Sequence, residues 1–539
     1  MKQVYSIRIL LTILLTGTVL CCCTDNFSDI NHPGTPSREE VKGDFYYIGV
    51  HFRALQLNVI MAEQNAYQFN ENLTGQPYAR YLTITKDVWN EQNFGVFNAP
   101  ESWLNSVFND QMVFVHSPWF ELQRILKAED KLDHYSWAWA ELLRVAAIHR
   151  TTDMYGPLPY SALKQNRGDM HVAYDTQQAV YQGLFDDLNR AIDILTEYIQ
   201  SGGASEVSSF SEYDFVYNGD FTKWVKFANS LKLRMAMRIA FVDPATSEKY
   251  AKEAVSHPIG VITSNDDNAW LHFSPNPLFI MQGAYADTRA GAELVCYMKG
   301  YRDPRLPVYF LPAQGSSEYK ALRIGIKSKN VEWAKSFSCP NVKAEDPLLW
   351  MCAAEVAFLK AEAVAYWNWD LGGGESAETL YNRGIRLSFE QWGVSGYADY
   401  IADTTSKPAN YDDDDRYAAP APSNTTIHWD DHADSETKLE RIITQKWIAI
   451  YPLGHEAWAE QRRTGYPRFF PVPVVNNVDK TLGIHGASRI PYGPQESLDN
   501  TANYNDAVAN KGLGGQDVYG VRLWWDAKKP KAGWEKNEE

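Results

Sequence analysis

The 539 residues are acidic, with 51 Lys and Arg against 67 Asp and Glu and a formal charge of −16. That balance suits neither phosphate backbones nor anionic lipid surfaces, so nucleic acid is excluded as an expected partner. Hydrophobic residues make up 45% of the chain, a core worth roughly two to four domains by length alone.

The first element in chain order is a targeting signal. Lys2 and Arg8 precede an apolar run, "ILLTILLTGTVL" (9–20), which ends on Cys21, Cys22 and Cys23. A basic start, a short apolar stretch and small residues at the break describe a secretory signal peptide. The run is too short to span a bilayer, which takes about 20 apolar residues. An ordinary cleaved signal with incidental cysteines is the plain reading. A bacterial lipoprotein signal over residues 1–22 is the sharper one, with the cysteine acylated as the first mature residue. Leu20, three places upstream, favours Cys23 as the acceptor, with Cys22 next. Without Lys2 and Arg8 the mature chain holds 49 basic and 67 acidic residues, a balance of −18. The later Cys296, Cys339 and Cys352 are too few, and odd in number, for a disulfide framework.

Helices dominate the mature chain. Helical periodicity is expected over 102–127, 133–150, 176–199, 219–240, 347–367, 376–391 and 436–450. In 176–199, Val180, Leu184, Leu188, Ile192, Leu195 and Ile199 form one apolar stripe. In 219–240, Asp220 is an N-cap ahead of a face built from Trp224, Phe227, Ala228, Leu231 and Met235. The segments 350–367 and 376–393, joined by Gly372, Gly373 and Gly374, loosely fit a tetratricopeptide hairpin of about 34 residues. The pairs at 102–150 and 177–240 are degenerate candidates for the same unit. Strand-like alternation is scarce. Residues of about 60–100, 260–345 and 465–539 read as long loops rich in Pro, Gly, Asn and aromatics.

Catalytic signatures are largely missing: there is no GxSxG, HExxH, CxxC, GxGxxG or Walker-type loop. "HWDDH" (428–432) has metal-binding residue types, but its setting reads as a solvated loop. "YDDDDRY" (411–417) has the oxygens for calcium without the alternating spacing and glycine of a calcium loop. A carboxylate pair for glycoside hydrolysis has no support from spacing. Abundant instead are aromatics, with 18 Trp, 31 Tyr and 23 Phe. Most belong to the core, but exposed Trp and Tyr offer rigid area with a polar handle, and sugar rings stack on such faces.

The stretches "CTDNFSDIN", "FTKWVKFANSLKLRMAMRI", "YRDPRLPVYF" and "ERIITQKWIAIYPLGHEAWAEQRRTGYPR" together resemble the SusD/RagB nutrient-binding lipoproteins of Bacteroidetes. The resemblance runs from Cys23 to "RLWWD", and the last motif is its most specific part. It implies one mostly α-helical domain over 23–539, built on tetratricopeptide-like helix pairs with the long loops folded over one side. It also implies a lipid anchor at the outer membrane, a surface site for oligosaccharides or in some relatives peptides, and no catalysis or cofactor. The implied partner is a SusC-type TonB-dependent transporter. Two stretches depart from the pattern, the triple cysteine and "PYGPQE" (491–496). A surface glycoside hydrolase and an adhesin are the readings from other classes.

The resemblance places recognition in the loops, over 63–103 and 263–340. There Trp89, Tyr285 and Trp333 are expected to form an arc around an extended ligand, with Phe94 beside Trp89 and with Asn93 and Arg289 taking polar groups. Trp270 is expected to point into the core. In "EAWAEQRRTGYPR" (456–468), Arg462 and Arg463 could hold an anion, but a structural role near the helix end is the stronger expectation.

Overall fold

Apolar stripes at helical spacing have to find partners, and in the computed structural model they do so by stacking helix on helix. The structure describes residues 45–165, 171–203, 211–476, 482 and 486–529; Cys21, Cys22 and Cys23 lie outside that set. The chain divides into two units, residues 1–50 and 51–539. Of the first, the described part opens the helix Tyr46–Gln56 (α1).

The scaffold of the second unit is a succession of long helices: Val115–Ala128 (α2), Tyr135–Tyr155 (α3), Gln177–Gln200 (α4), Phe221–Arg238 (α5) and Pro244–Ser256 (α6). After a long irregular stretch come Ala353–Ala365 (α7), Ala377–Gln391 (α8), Ser435–Ala449 (α9) and Gly454–Thr464 (α10). Each packs on its neighbour in sequence from α2 to α6. Then α5 meets α7, and α7 packs on both α8 and α9. This is the order of a helix-pair stack. The stripe of α4 is buried at Val180, Leu184, Leu188, Ile192 and Leu195. Asp220 accepts the Lys223 N–H at the start of α5, and all five expected core positions of that helix are inside. Trp139 of α3 meets Trp224 of α5 edge-on at 5.7 Å.

Three expectations need correcting. The helix expected over 102–127 is interrupted: Glu101–Asn109 passes through a π-helical turn, Asp110–Phe114, into α2. Pro118 explains the break, because it has no N–H and its ring collides with the carbonyl four residues back. That carbonyl, of Phe114, is taken instead by the Asn58 amide at 3.1 Å. The second correction is Leu348–Met351, expected as helix and found as strand. A short, wholly apolar run looks alike in either state; this one is buried on both sides and paired, and the helix starts only at Ala353. The third concerns the supposed loops, which contain short helices and most of the strands. Helix α6 carried no expectation at all.

Among the described residues the strands make three two-stranded antiparallel ladders. Leu82–Ile84 (β1) pairs with Thr288–Ala290 (β3), placing Thr83 opposite Arg289. Ala269–Leu271 (β2) pairs with Leu348–Met351 (β6), and Phe310–Leu311 (β4) with Cys339–Pro340 (β5). The ladders clip together segments that lie far apart in the chain.

At the centre lies a buried ion network. Arg463 on α10 makes paired contacts to Glu362 of α7 (2.6 and 2.6 Å) and to Glu460 (2.9 and 2.7 Å). Lys446 of α9 reaches Glu460 at 2.9 Å. Arg238 of α5 contacts Asp153 of α3 at 3.1 Å, Glu456 at 2.5 Å, and also Glu460. Arg234 holds Glu355 of α7 through two 2.7 Å bonds. Arg462 donates to the carbonyls of Asp153 and Ser488. The two arginines of "EQRRTG" therefore tie helices together, as the structural reading expected.

Candidate functional site

The β1–β3 ladder fixes the position of the expected binding loops. Directly after β1 a 3₁₀ turn, Asp87–Trp89, presents Trp89 half-buried. Its ring stands edge-on to Trp103 at 5.0 Å, with the Lys86 ammonium 5.8 Å above it. Asn93 caps the next turn: its side-chain oxygen accepts from Val96 N–H, and its amide donates to the Trp89 carbonyl at 2.7 Å. At 4% exposure it holds the loop's shape. Phe94 is 0% exposed and lies behind Trp103 at 5.9 Å. A ring without exposure offers no stacking face, so Phe94 backs the Trp103–Trp89 pair.

Tyr285 ends a π-helical turn, Met281–Tyr285, and its hydroxyl donates to Asn65 Oδ1 at 3.1 Å. Two residues on, the Asp287 carboxylate accepts from Gln68 and faces Lys86 at 3.5 Å. Burial raises its pKa against the opposing pull of those two groups. Arg289 on β3 is only 6% exposed; its guanidinium donates to the Thr288 carbonyl at 2.7 Å. Burial lowers its pKa, with Cys339 and Asp287 opposing.

Trp333 sits on the short helix Val331–Lys335, whose N-cap Asn330 accepts the Trp333 N–H. The ring packs on buried Leu322, Ile326 and Phe337, and the Arg416 guanidinium lies 5.1 Å from its centroid. This loop and the Trp89 loop are stitched together. The Asn90 amide exchanges two 2.8 Å bonds with the Ser328 backbone, and Lys327 pairs with Glu91 at 2.7 Å. Arg416 adds a bond to the Lys327 carbonyl. Through these contacts and Lys86–Asp287, the turns carrying Trp89, Tyr285 and Trp333 form one connected set of loops. All three rings are half-buried, whereas Asn93, Phe94 and Arg289 are inside.

Trp103 and Arg416 escaped the sequence reading. Trp103 reads as one more aromatic on a helical stripe. Arg416 belongs to the acidic "YDDDDRY" segment, which the fold brings to Trp333 from more than eighty residues away. In that segment Asp414 pairs with Arg416 at 2.6 Å and Asp413 with Lys299 at 3.4 Å. In "HWDDH", Asp431 accepts from Trp429 and Asp430 caps a turn at His432. No group of three or more metal-ligating side chains occurs among the described residues.

A second feature shares no residue with the turns that carry Trp89, Tyr285 and Trp333: a cavity of about 510 Å³ between β2–β6, the 341–347 segment, and residues 391–392 and 451–453. Trp270 lines it. The expectation that Trp270 points into the core is wrong, because alternation along β2 sends Ala269 and Leu271 inward and leaves Trp270 half-buried on the opposite side.

A stack of helix pairs that carries irregular loops with supported aromatic rings has the architecture of a scaffold with attached loops. The comparisons give that class its family. The model for the SusD-like family, "Susd and RagB outer membrane lipoprotein", matches residues 29–526, and the chain belongs to that family. A SusD homolog from Bacteroides uniformis is 38% identical, with a TM-score of 0.83, covering 90% of this chain and 100% of that one. One from Bacteroides thetaiotaomicron is 35% identical, TM-score 0.81, over 89% and 99% of the two chains. A chitin-binding SusD homolog from Flavobacterium johnsoniae is 34% identical, TM-score 0.83, over 90% and 99%. None of the curated proteins matches.

Proposed function

We propose that this chain is a lipid-anchored protein of the outer-membrane surface that captures nutrient oligosaccharides and passes them to a SusC-type TonB-dependent transporter. The single observation behind the ligand assignment is the set of half-buried aromatic rings, Trp89, Tyr285 and Trp333, on loops fastened to one another by Asn90, Glu91 and Lys86. Rings held from behind, as Trp89 is by Trp103 and Trp333 by Phe337, offer a stacking face at little further entropic cost on binding. The family's description as outer membrane lipoproteins supports the location, and a chitin-binding relative supports a glycan as cargo. Lipid attachment is assigned to Cys23. Asn93 and Arg289 act by holding the loop and the strand, and Phe94 by backing Trp103.

The reading treats the chain as a capture protein without catalysis, so a bound oligosaccharide is returned intact after long incubation. A glycan and peptide array on the mature chain identifies the cargo. Calorimetric titration of Trp89→Ala and Trp333→Ala against the best glycan then tests the arc. Loss of a central aromatic anchor costs about 2 kcal/mol, roughly thirtyfold in affinity. Two folded variants that bind like the parent would overturn the arc, and an array that answers only to peptides would replace glycan by peptide as cargo.

A further inference from the structure

Arg323, Arg441 and Arg468 are far apart in the sequence, and the fold sets them along one surface groove. The segment "AAPAPSNTT" (418–426) forms one wall. Residues 468–471 and the first turns of α9, with Thr437, Glu440 and Arg441, form the other. Two hollows of about 460 and 350 Å³ adjoin there, and Pro422 and Arg468 line both. Arg323 lines the first and Arg441 the second. No ring of the aromatic arc lines either hollow.

Three guanidinium groups stand here against one carboxylate among the described lining residues, in a chain whose overall charge is −16. That carboxylate, Glu440, accepts from Arg468 Nε at 3.1 Å and from the Ser423 hydroxyl at 2.5 Å. Arg323 and Arg441 are each 7% exposed, and both bond only neutral groups. Arg323 donates to the Tyr417 and Pro471 carbonyls, Arg441 to the carbonyl and hydroxyl of Thr426. Glu293, the carboxylate that senses Arg323, is paired with Arg80 at 3.3 Å. Buried charges are ordinarily matched by an opposite charge, so two unmatched ones beside one groove favour an anion. Arg468 supplies the contact. Its side chain is 38% exposed, and its two terminal nitrogens have no partner among the described residues and lie open to solvent. A free guanidinium fork takes a carboxylate through two parallel bonds.

The placement of the charges decides the kind of anion. One cation sits at the junction and one in each hollow, which suits several carboxylates along an extended chain better than a single one. In an extended peptide, side chains on one face recur about every 7 Å. Pro420, Pro422 and Pro471 give rigid walls for its backbone.

We infer that this groove binds an extended acidic peptide segment, with Arg468 holding one carboxylate bidentately and Arg323 and Arg441 flanking it. The assignment stands whatever cargo the aromatic arc takes.

The test is fluorescence anisotropy with labelled hexaglutamate and hexaglutamine on the mature protein. It is run at about 0.15 M salt, where charges beyond about 8 Å are screened and only local contacts count. Hexaglutamate binds and hexaglutamine does not. Arg468→Gln weakens binding at least tenfold. Arg468→Lys, which keeps the charge beside Glu440 and loses the fork, weakens it severalfold. A Trp89→Ala/Trp333→Ala double variant binds hexaglutamate like the parent, and soaked crystals show density along 418–426. Equal behaviour of the two peptides overturns the proposal, as does binding indifferent to both Arg468 variants or lost in the double variant. Displacement by tetragalacturonate at lower concentration than by unlabelled hexaglutamate overturns the peptide as occupant. If Arg468→Gln fails to fold, Arg468→Lys and the soak still decide.

Discussion

Glu460→Gln puts the central ion network to the test. The replacement keeps the shape of the side chain and removes its charge. In the parent, Asp153, Glu355, Glu362, Glu456 and Glu460 face Arg234, Arg238, Lys446, Arg462 and Arg463, five of each sign, all buried. Glu460 alone serves Arg238, Lys446 and Arg463. Its loss leaves one uncompensated cation where α3, α5, α7, α9 and α10 converge. Breaking a buried pair by removing one partner costs about 3–5 kcal/mol. Urea unfolding followed by tryptophan fluorescence measures the effect. Arg386→Ala is the control, since it removes an exposed pair to Glu390 at 3.7 Å; such pairs contribute under about 1 kcal/mol. If Glu460→Gln lost no more than the control, the network would be ornament and burial would not carry the cost assigned to it.

The same network predicts acid sensitivity. Burial pushes the Glu456 carboxyl up, but Arg238, Arg234 and Lys446 outweigh it and hold it at about 2; Glu460, also pushed up by burial, is held well below its usual range by Arg463, Lys446 and Arg238. Folded values below the unfolded value of about 4.3 contribute stability that is complete above that pH and lost as pH falls toward 2. Asp153, raised by burial, works the other way and softens the slope. Melting temperature should therefore drop from pH 5 to pH 3, and Glu460→Gln should flatten that drop. Gly384→Ala probes the α7–α8 pair: a methyl there would sit 2.7 Å from the Phe358 ring, and overpacking of this kind costs about 1–3 kcal/mol, read as a lower urea midpoint. Cys23→Ala should release the protein from the membrane fraction; unchanged retention with normal processing would sink the lipid assignment.

Sequence alone determined the elements whose physics is local. The stripes of α4 and α5 and the Asp220 cap were legible because a helix places every third or fourth residue on one face, whatever surrounds it. The pairing of α7 with α8 was legible for the same reason, and the SusD-like family from motifs spread over the whole mature chain. Only the tertiary structure decided the direction of single side chains. Trp270 looks like core by its apolar neighbours, and pairing with β6 alone turns it to the cavity. Asn93 looks like a free amide until the turn it caps is seen. Arg463 finds Glu362 across a separation of 101 residues, which no local pattern encodes. Periodicity specifies which face of an element is apolar; which charged or aromatic group waits opposite is set by how the elements are brought together.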